Sequence, residues 1–210
     1  MTENYRNRTA DIAAEIISII FHPLFIPVYG MLIILSAPTL FGYLPFSVKR
    51  ILLTIVIVNN VAVPLLFIPY FKYRGIIKSV HMETREERVL PMVITNFFYL
   101  VTLYIFWKFH LPLFIKSYVL AAAAISTIVT VVNFWWKISI HAVGAGALIA
   151  LVGVLSLTMH SQLYALLISS VIAAGLVLTA RLYRNSHSPL EVGIGFLIGF
   201  AGTVIVLLFF

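Results

Sequence analysis

Arg181, His187 and Glu191 stand in a short polar stretch between two apolar runs, with five residues between the first two and three between the last two. Positions four apart share one face of a helix. The Glu191 carboxylate could therefore accept a hydrogen bond from one ring nitrogen of His187 and leave the other free to attack. Orienting a nucleophile through a carboxylate is a general device of covalent catalysis. The same segment has a structural reading, because Ser188-Pro189-Leu190-Glu191 has the form of a capping box with proline at the first helical position. The two are compatible, since a helix N-terminus is also a ready anion site.

Two further segments carry chemistry-bearing residues. Ser139-Ile140-His141 opens another apolar run just after Lys137. The third segment runs from Lys78 to Arg88 and includes His81, Glu83, Arg85, Glu86 and Glu87, with six residues between Lys78 and Arg85. Thr84 and Glu87 have capping-box spacing, and the carboxylates could pair with cations one turn away. A lone interfacial histidine is most often a satisfied polar residue, and a charge run is most often a solvated face. The order and combination of the three segments carry the weight.

A basic pair, then Ser-x-His, then Arg-x5-His-x3-acid resembles the type 2 phosphatidic acid phosphatase family, the membrane relatives of the vanadium haloperoxidases. The family pattern is Lys-x6-Arg-Pro, Pro-Ser-Gly-His and Ser-Arg-x5-His-x3-Asp. The resemblance covers roughly residues 78 to 191 and is most specific in the third segment. It implies a metal-independent lipid phosphate phosphatase that needs no cofactor, with His187 as the nucleophile of a phosphohistidine and Glu191 as the acid that orients it. By the same resemblance His141 is the general acid, Arg181, Lys78 and Arg85 clamp the phosphate, and Ser139 donates to a phosphoryl oxygen. The chain departs from the pattern at Glu191 for aspartate, Ala180 for serine, Ile138 and Ile140 for the proline and glycine around Ser139, and Glu86 for proline. A second register, His81-x6-Arg88 with Pro91 downstream, fits the first motif as well, so Arg85 and Arg88 both stand as candidates. Phosphoryl transfer relies on positioning and cationic stabilisation of the equatorial oxygens. Within it His187 must be neutral to attack, while His141 must hold a proton to give.

These residues must be positioned by membrane helices. The 210-residue chain is 62% hydrophobic and 10% charged, against roughly a quarter charged in soluble domains. The expectation is an all-α polytopic bundle of six or seven spans, at about 14–37, 51–71, 91–109, 113–136, 142–159, 162–180 and 192–210. It forms a single domain over 1–210 with motif loops at 78–91, 137–141 and 181–191. The first run is too long and too acidic at its start for a cleaved signal peptide, and Pro23 and Pro27 suggest that it is kinked or re-entrant. Gly144, Gly146, Gly193, Gly195, Gly199 and Gly202 suggest close helix packing.

Counting spans places all three motif segments on one side. With the N-terminus, that side holds ten of the 14 Lys and Arg, and Lys49, Arg50, Lys108 and Lys116 lie opposite. The positive-inside rule would make it cytoplasmic, whereas the resemblance favours the periplasmic face of a bacterial inner membrane. The net charge of +7 suits anionic headgroups, and no basic stripe with exposed aromatics suggests a nucleic-acid partner. Without cysteine there is no thiolate metal site, and no Asp-rich or His-rich metal cluster is read. A site at the helix ends implies a substrate with its phosphate at headgroup level and its chains in lipid, such as phosphatidate, phosphatidylglycerol phosphate or undecaprenyl diphosphate. His22, Asn59, Asn60, Asn96 and Asn133 lie within spans, where they could line an entry path or only tie helices together. The rival readings are a transporter or channel whose polar midplane residues and broken first helix form the pathway, and a non-catalytic lipid-binding relative.

Overall fold

The computed structural model describes residues 8–77 and 84–210. Among them the secondary structure is helical throughout: α1 (Arg8–Ile20), α2 (Ile26–Ser36), α3 (Phe46–Ile57), α4 (Val63–Tyr73), α5 (Arg85–Lys108), α6 (Leu113–Asn133), α7 (Ile140–Thr158), α8 (Tyr164–Tyr183) and α9 (Pro189–Phe209). Seven helical stretches are long and apolar enough to span a membrane, because α1 with α2 and α3 with α4 each form one broken span. The protein is an integral membrane bundle.

The first span is kinked. Pro23 opens a 3₁₀ turn, Pro23–Phe25, between α1 and α2, because proline donates no N–H and holds the residue before it in an extended conformation. Backbone carbonyls freed by such a break need partners inside a bilayer. The Tyr29 hydroxyl donates to the Ile20 carbonyl at 2.7 Å, and the Tyr118 hydroxyl donates to Pro27 at 3.0 Å. The second span bends through a π turn at Val58–Ala62, where Asn60 Oδ1 accepts from the Thr102 hydroxyl of α5 at 2.9 Å.

On α1, Ile12, Ile16 and Ile20 are exposed, as a lipid-facing stripe is. Asp11, Glu15 and Ser18, at one-turn spacings on another face, line the interior cavity. The helix is thus inverted relative to an amphipathic helix in water, with its apolar side outward. Helix α7 is the most buried of the spans. It packs on α9 through glycines: a Cβ on Gly195 would meet the Ser139 carbonyl at 2.8 Å, one on Gly199 would collide with the Val143 carbonyl, and one on Gly146 with the Phe196 carbonyl. The pairing advances in the same direction along both helices, so α7 and α9 run parallel. Gly193 differs from the expectation of close packing, for nothing lies within 4 Å of its added Cβ.

The main core lies away from the motif segments. It joins Met31, Ile34, Leu52, Phe106, Ile115, Leu151 and Leu155, from the far ends of α2, α5 and α7 and the near starts of α3 and α6. The motif end instead encloses a cavity, beside a smaller cluster of Ile125, Val129, Ile138 and Val143.

Candidate functional site

His187 is brought to the site by a helix ending and a helix beginning. Helix α8 runs to Tyr183, so Arg181 sits on its last turn and not in a loop. Asn185 adopts φ 51°, its N–H donates to Leu182 at 3.0 Å, and the Ser186 N–H donates to Arg181 at 3.3 Å. This is a Schellman ending with asparagine in the left-handed position, and it turns the chain sharply after Arg184. Ser188 then caps α9, accepting from the Glu191 N–H at 3.3 Å while Glu191 Oε2 accepts from the Ser188 N–H at 3.2 Å. The same Oε2 accepts from His187 Nδ1 at 2.8 Å. Capping box and imidazole orientation therefore coexist in one carboxylate.

A proton on Nδ1, shared with the carboxylate, leaves the Nε2 lone pair as the reactive one. Burial pushes the His187 pKa below its ordinary value near 6.5, and Arg88 and Arg181 push it further, against the raising effect of the Glu191 hydrogen bond and charge. The imidazole is held neutral, with only 6% of its surface exposed.

The second segment meets the third directly. The Ser139 N–H donates to the Glu191 carbonyl at 3.3 Å, tying the start of α7 to the start of α9. Ser139 is the N-cap of α7, so His141 lies in its first turn. Nε2 of His141 lies 3.1 Å from the Ser18 carbonyl and so donates to it. The His141 ring meets His22 edge to face, with centroids 5.6 Å apart.

In the first segment, α5 begins at Arg85 and carries Pro91 within its second turn, earlier than the expected start at 91. Lys78 and His81 lie outside the described residues, and of Arg85 only the backbone is described. Arg88 does reach the site. It lines the cavity, followed on the same face of α5 by Met92, Thr95 and Tyr99.

All of this surrounds a cavity of about 1000 Å³, at the top of the roughly 300–1,000 Å³ range of small-molecule pockets. Its polar end holds Arg88, Lys137, Arg181 and Arg184 with His22, His141 and His187, and two carboxylates, Asp11 and Glu15. Glu15 pairs with Arg184 at 3.6 Å. Its other end is apolar and reaches Tyr118 and Leu151, both members of the packed core. From Ile140 to Leu151 along α7 is a depth of about 16 Å at 1.5 Å per residue, half of a roughly 30 Å hydrocarbon core.

The expected residues thus divide. His187, His141, Arg181 and Arg88 line the cavity, and Glu191 stands behind His187. Ser139, expected as a phosphate donor, stands apart from these four. It is 0% exposed and is absent from the cavity wall, and its hydroxyl has no partner among the described residues. The Arg181 Nε likewise has none, and its Nη1 makes only a long 3.5 Å contact with the Ser18 hydroxyl. Sequence reasoning named His22 only along a path through the spans, counted Lys137 and Arg184 only as topology cations, and missed Ser18; all four line the cavity. The signal was available in Asp11, Glu15, Ser18 and His22, a polar stripe at one-turn spacing along an otherwise apolar helix.

Among the described residues no group of three or more His, Cys, Asp or Glu has the arrangement of a metal site. Comparison with protein-family models, with curated proteins and with solved structures finds no match to this chain.

Proposed function

We propose that the protein is a membrane phosphatase that hydrolyses a lipid phosphate or polyprenyl diphosphate through a phosphohistidine on His187. The observation that carries the reading is the neutral His187 imidazole, held at Nδ1 by Glu191 and set in the wall of a cavity with guanidinium groups at one end and apolar residues at the other. In the first step His187 Nε2 attacks phosphorus as the bond to the leaving oxygen breaks, and that oxygen takes a proton from protonated His141. In the second step water attacks the phosphohistidine, its proton passing to His141 and phosphate leaving. Arg88 and Arg181 stabilise the charge on the equatorial oxygens throughout.

His141 gives its proton from the same cavity wall as the phosphate-binding cations. Four cations share its cavity, and a like charge disfavours another. A bound phosphate dianion reverses that local balance. The depth of the cavity supports a substrate whose headgroup lies at one face and whose chain reaches the middle of the bilayer. Candidates are phosphatidate, phosphatidylglycerol phosphate and undecaprenyl diphosphate, and the family resemblance favours the periplasmic face of a bacterial inner membrane.

A transporter would need a continuation through the far half of the bundle, where the core is packed. The two readings part in one comparison. Purified protein in detergent, with chelator present, is expected to release phosphate from at least one of the three lipids. Solute flux across reconstituted vesicles without any phosphate release would favour transport instead.

A further inference from the structure

We propose that His22, carried by the break in the first span, donates a hydrogen bond from Nε2 to the phosphoryl group bound in the cavity, a role that none of the three motif segments supplies. The inference rests on reading the cavity as a phosphate site. Its grounds are geometric. His22 is the extended residue immediately before Pro23, with φ −62° and ψ 137°, and its ring caps the 3₁₀ turn. The Leu24 N–H donates to His22 Nδ1 at 3.4 Å. A neutral imidazole that accepts at Nδ1 carries its proton on Nε2, so the turn fixes the tautomer as well as the position.

His22 is exposed and stands on the wall of the cavity that also holds His141, Arg181 and His187. His141, its edge-to-face neighbour, commits Nε2–H to the Ser18 carbonyl. Of the two touching imidazoles, His22 is the one whose N–H is not engaged with backbone among the described residues. Arg181 lies within electrostatic reach of it, as expected of two groups that address one anion.

The break itself is held in place rather than merely tolerated. Tyr29 and Tyr118 satisfy its carbonyls, and a Cβ at Gly30 would collide with the Tyr118 hydroxyl. A polar ring on a span, facing an interior cavity and presented by a supported kink, has the marks of a binding group and not of lipid-side packing.

Two variants separate the cap from the donor. His22→Asn retains an acceptor for the Leu24 N–H, asparagine being among the best N-caps, but its short amide cannot reach the Nε2 position. His22→Gln places an amide N–H near that position. Binding of inorganic phosphate to the purified full chain in detergent is measured by titration calorimetry, alongside the thermal midpoint of each protein. The expected result is affinity about ten-fold to a hundred-fold weaker in His22→Asn, the worth of one hydrogen bond to a charged group, and within about three-fold of the parent in His22→Gln. Equal affinity in His22→Asn and the parent overturns this inference and leaves the phosphatase reading standing. A His22→Gln variant that melts with the parent yet binds as weakly as His22→Asn also overturns it. If the parent itself binds no phosphate, the reading of the site falls and this inference falls with it.

Discussion

Glu191 Oε2 takes hydrogen bonds from both His187 Nδ1 and the Ser188 N–H, so a substitution there must be read in two currents, one of stability and one of rate. Glu191→Gln keeps a residue able to complete the capping box but removes the charge that orients and supports His187. We expect its thermal midpoint to stay near that of the parent while turnover falls about 100-fold or more, since the wrong tautomer alone costs a comparable triad about 10⁴. Glu191→Ala should lose the rate and also about 1 kcal/mol of stability, the usual value of a lost cap. Equal turnover in Glu191→Gln and the parent would remove the carboxylate from the chemistry. The pH behaviour has a definite sign. The folded His187 pKa lies below its unfolded value near 6.5, through burial first and then the Arg88 and Arg181 charges. The unfolded chain therefore binds the proton more readily. Its contribution to stability is complete above pH 6.5 and is lost progressively as pH falls below that value toward the folded pKa. In ¹⁵N-histidine spectra, with His187 assigned by substitution, the ring should remain neutral at pH 6, and Arg88→Met should raise its pKa. A parent ring that titrates at an ordinary 6.5 would contradict the cationic, desolvated site.

At the scale of elements, hydrophobic runs placed the spans well, and their ends poorly. The expected run at 162–180 stopped where Arg181 interrupts the apolar pattern, but α8 continues to Tyr183 and ends at Asn185, which no hydropathy step marks. The left-handed backbone there suits asparagine or glycine. Asn185→Gly should retain activity and Asn185→Val should lower both stability and turnover, read by melting and by phosphate release. Likewise α5 starts at Arg85 because Thr84 caps it, so Arg88 lies on a helix face that looks into the cavity, which the spacing arguments for Arg85 and Arg88 left undivided. The glycine pattern was legible as close packing but not residue by residue. Gly199→Val drives a side chain into the Val143 carbonyl, and overpacking of this kind costs about 1–3 kcal/mol. It should also separate the starts of α7 and α9. Gly193→Ala, with open space around it, should melt at or above the parent. Similar melting of the two variants would contradict the parallel α7–α9 packing.

At the scale of the whole molecule, the count of spans already placed the three motif segments on one side, and the bundle gathers the described parts of them around one cavity. The sequence carried the polar stripe of the first span but not its place, because the stripe meets the other segments only once α1 packs on α8. Nor could it separate the cavity-bearing motif end from the packed far end, since both halves of every span are apolar. The topology is directly testable in a chain without cysteine: Arg74→Cys and His110→Cys, both exposed positions, should react with an impermeant thiol reagent from opposite sides of oriented vesicles. Labelling from the same side would break the seven-span arrangement. The central claim, a nucleophilic His187, is tested most directly by the rate of phosphate release from the best of the three lipid substrates, measured for the parent and for His187→Ala at equal protein and in chelator. A loss of about 10³-fold or more is expected with the melting temperature retained, as for removal of other catalytic nucleophiles. Parent-like turnover in His187→Ala would contradict the claim.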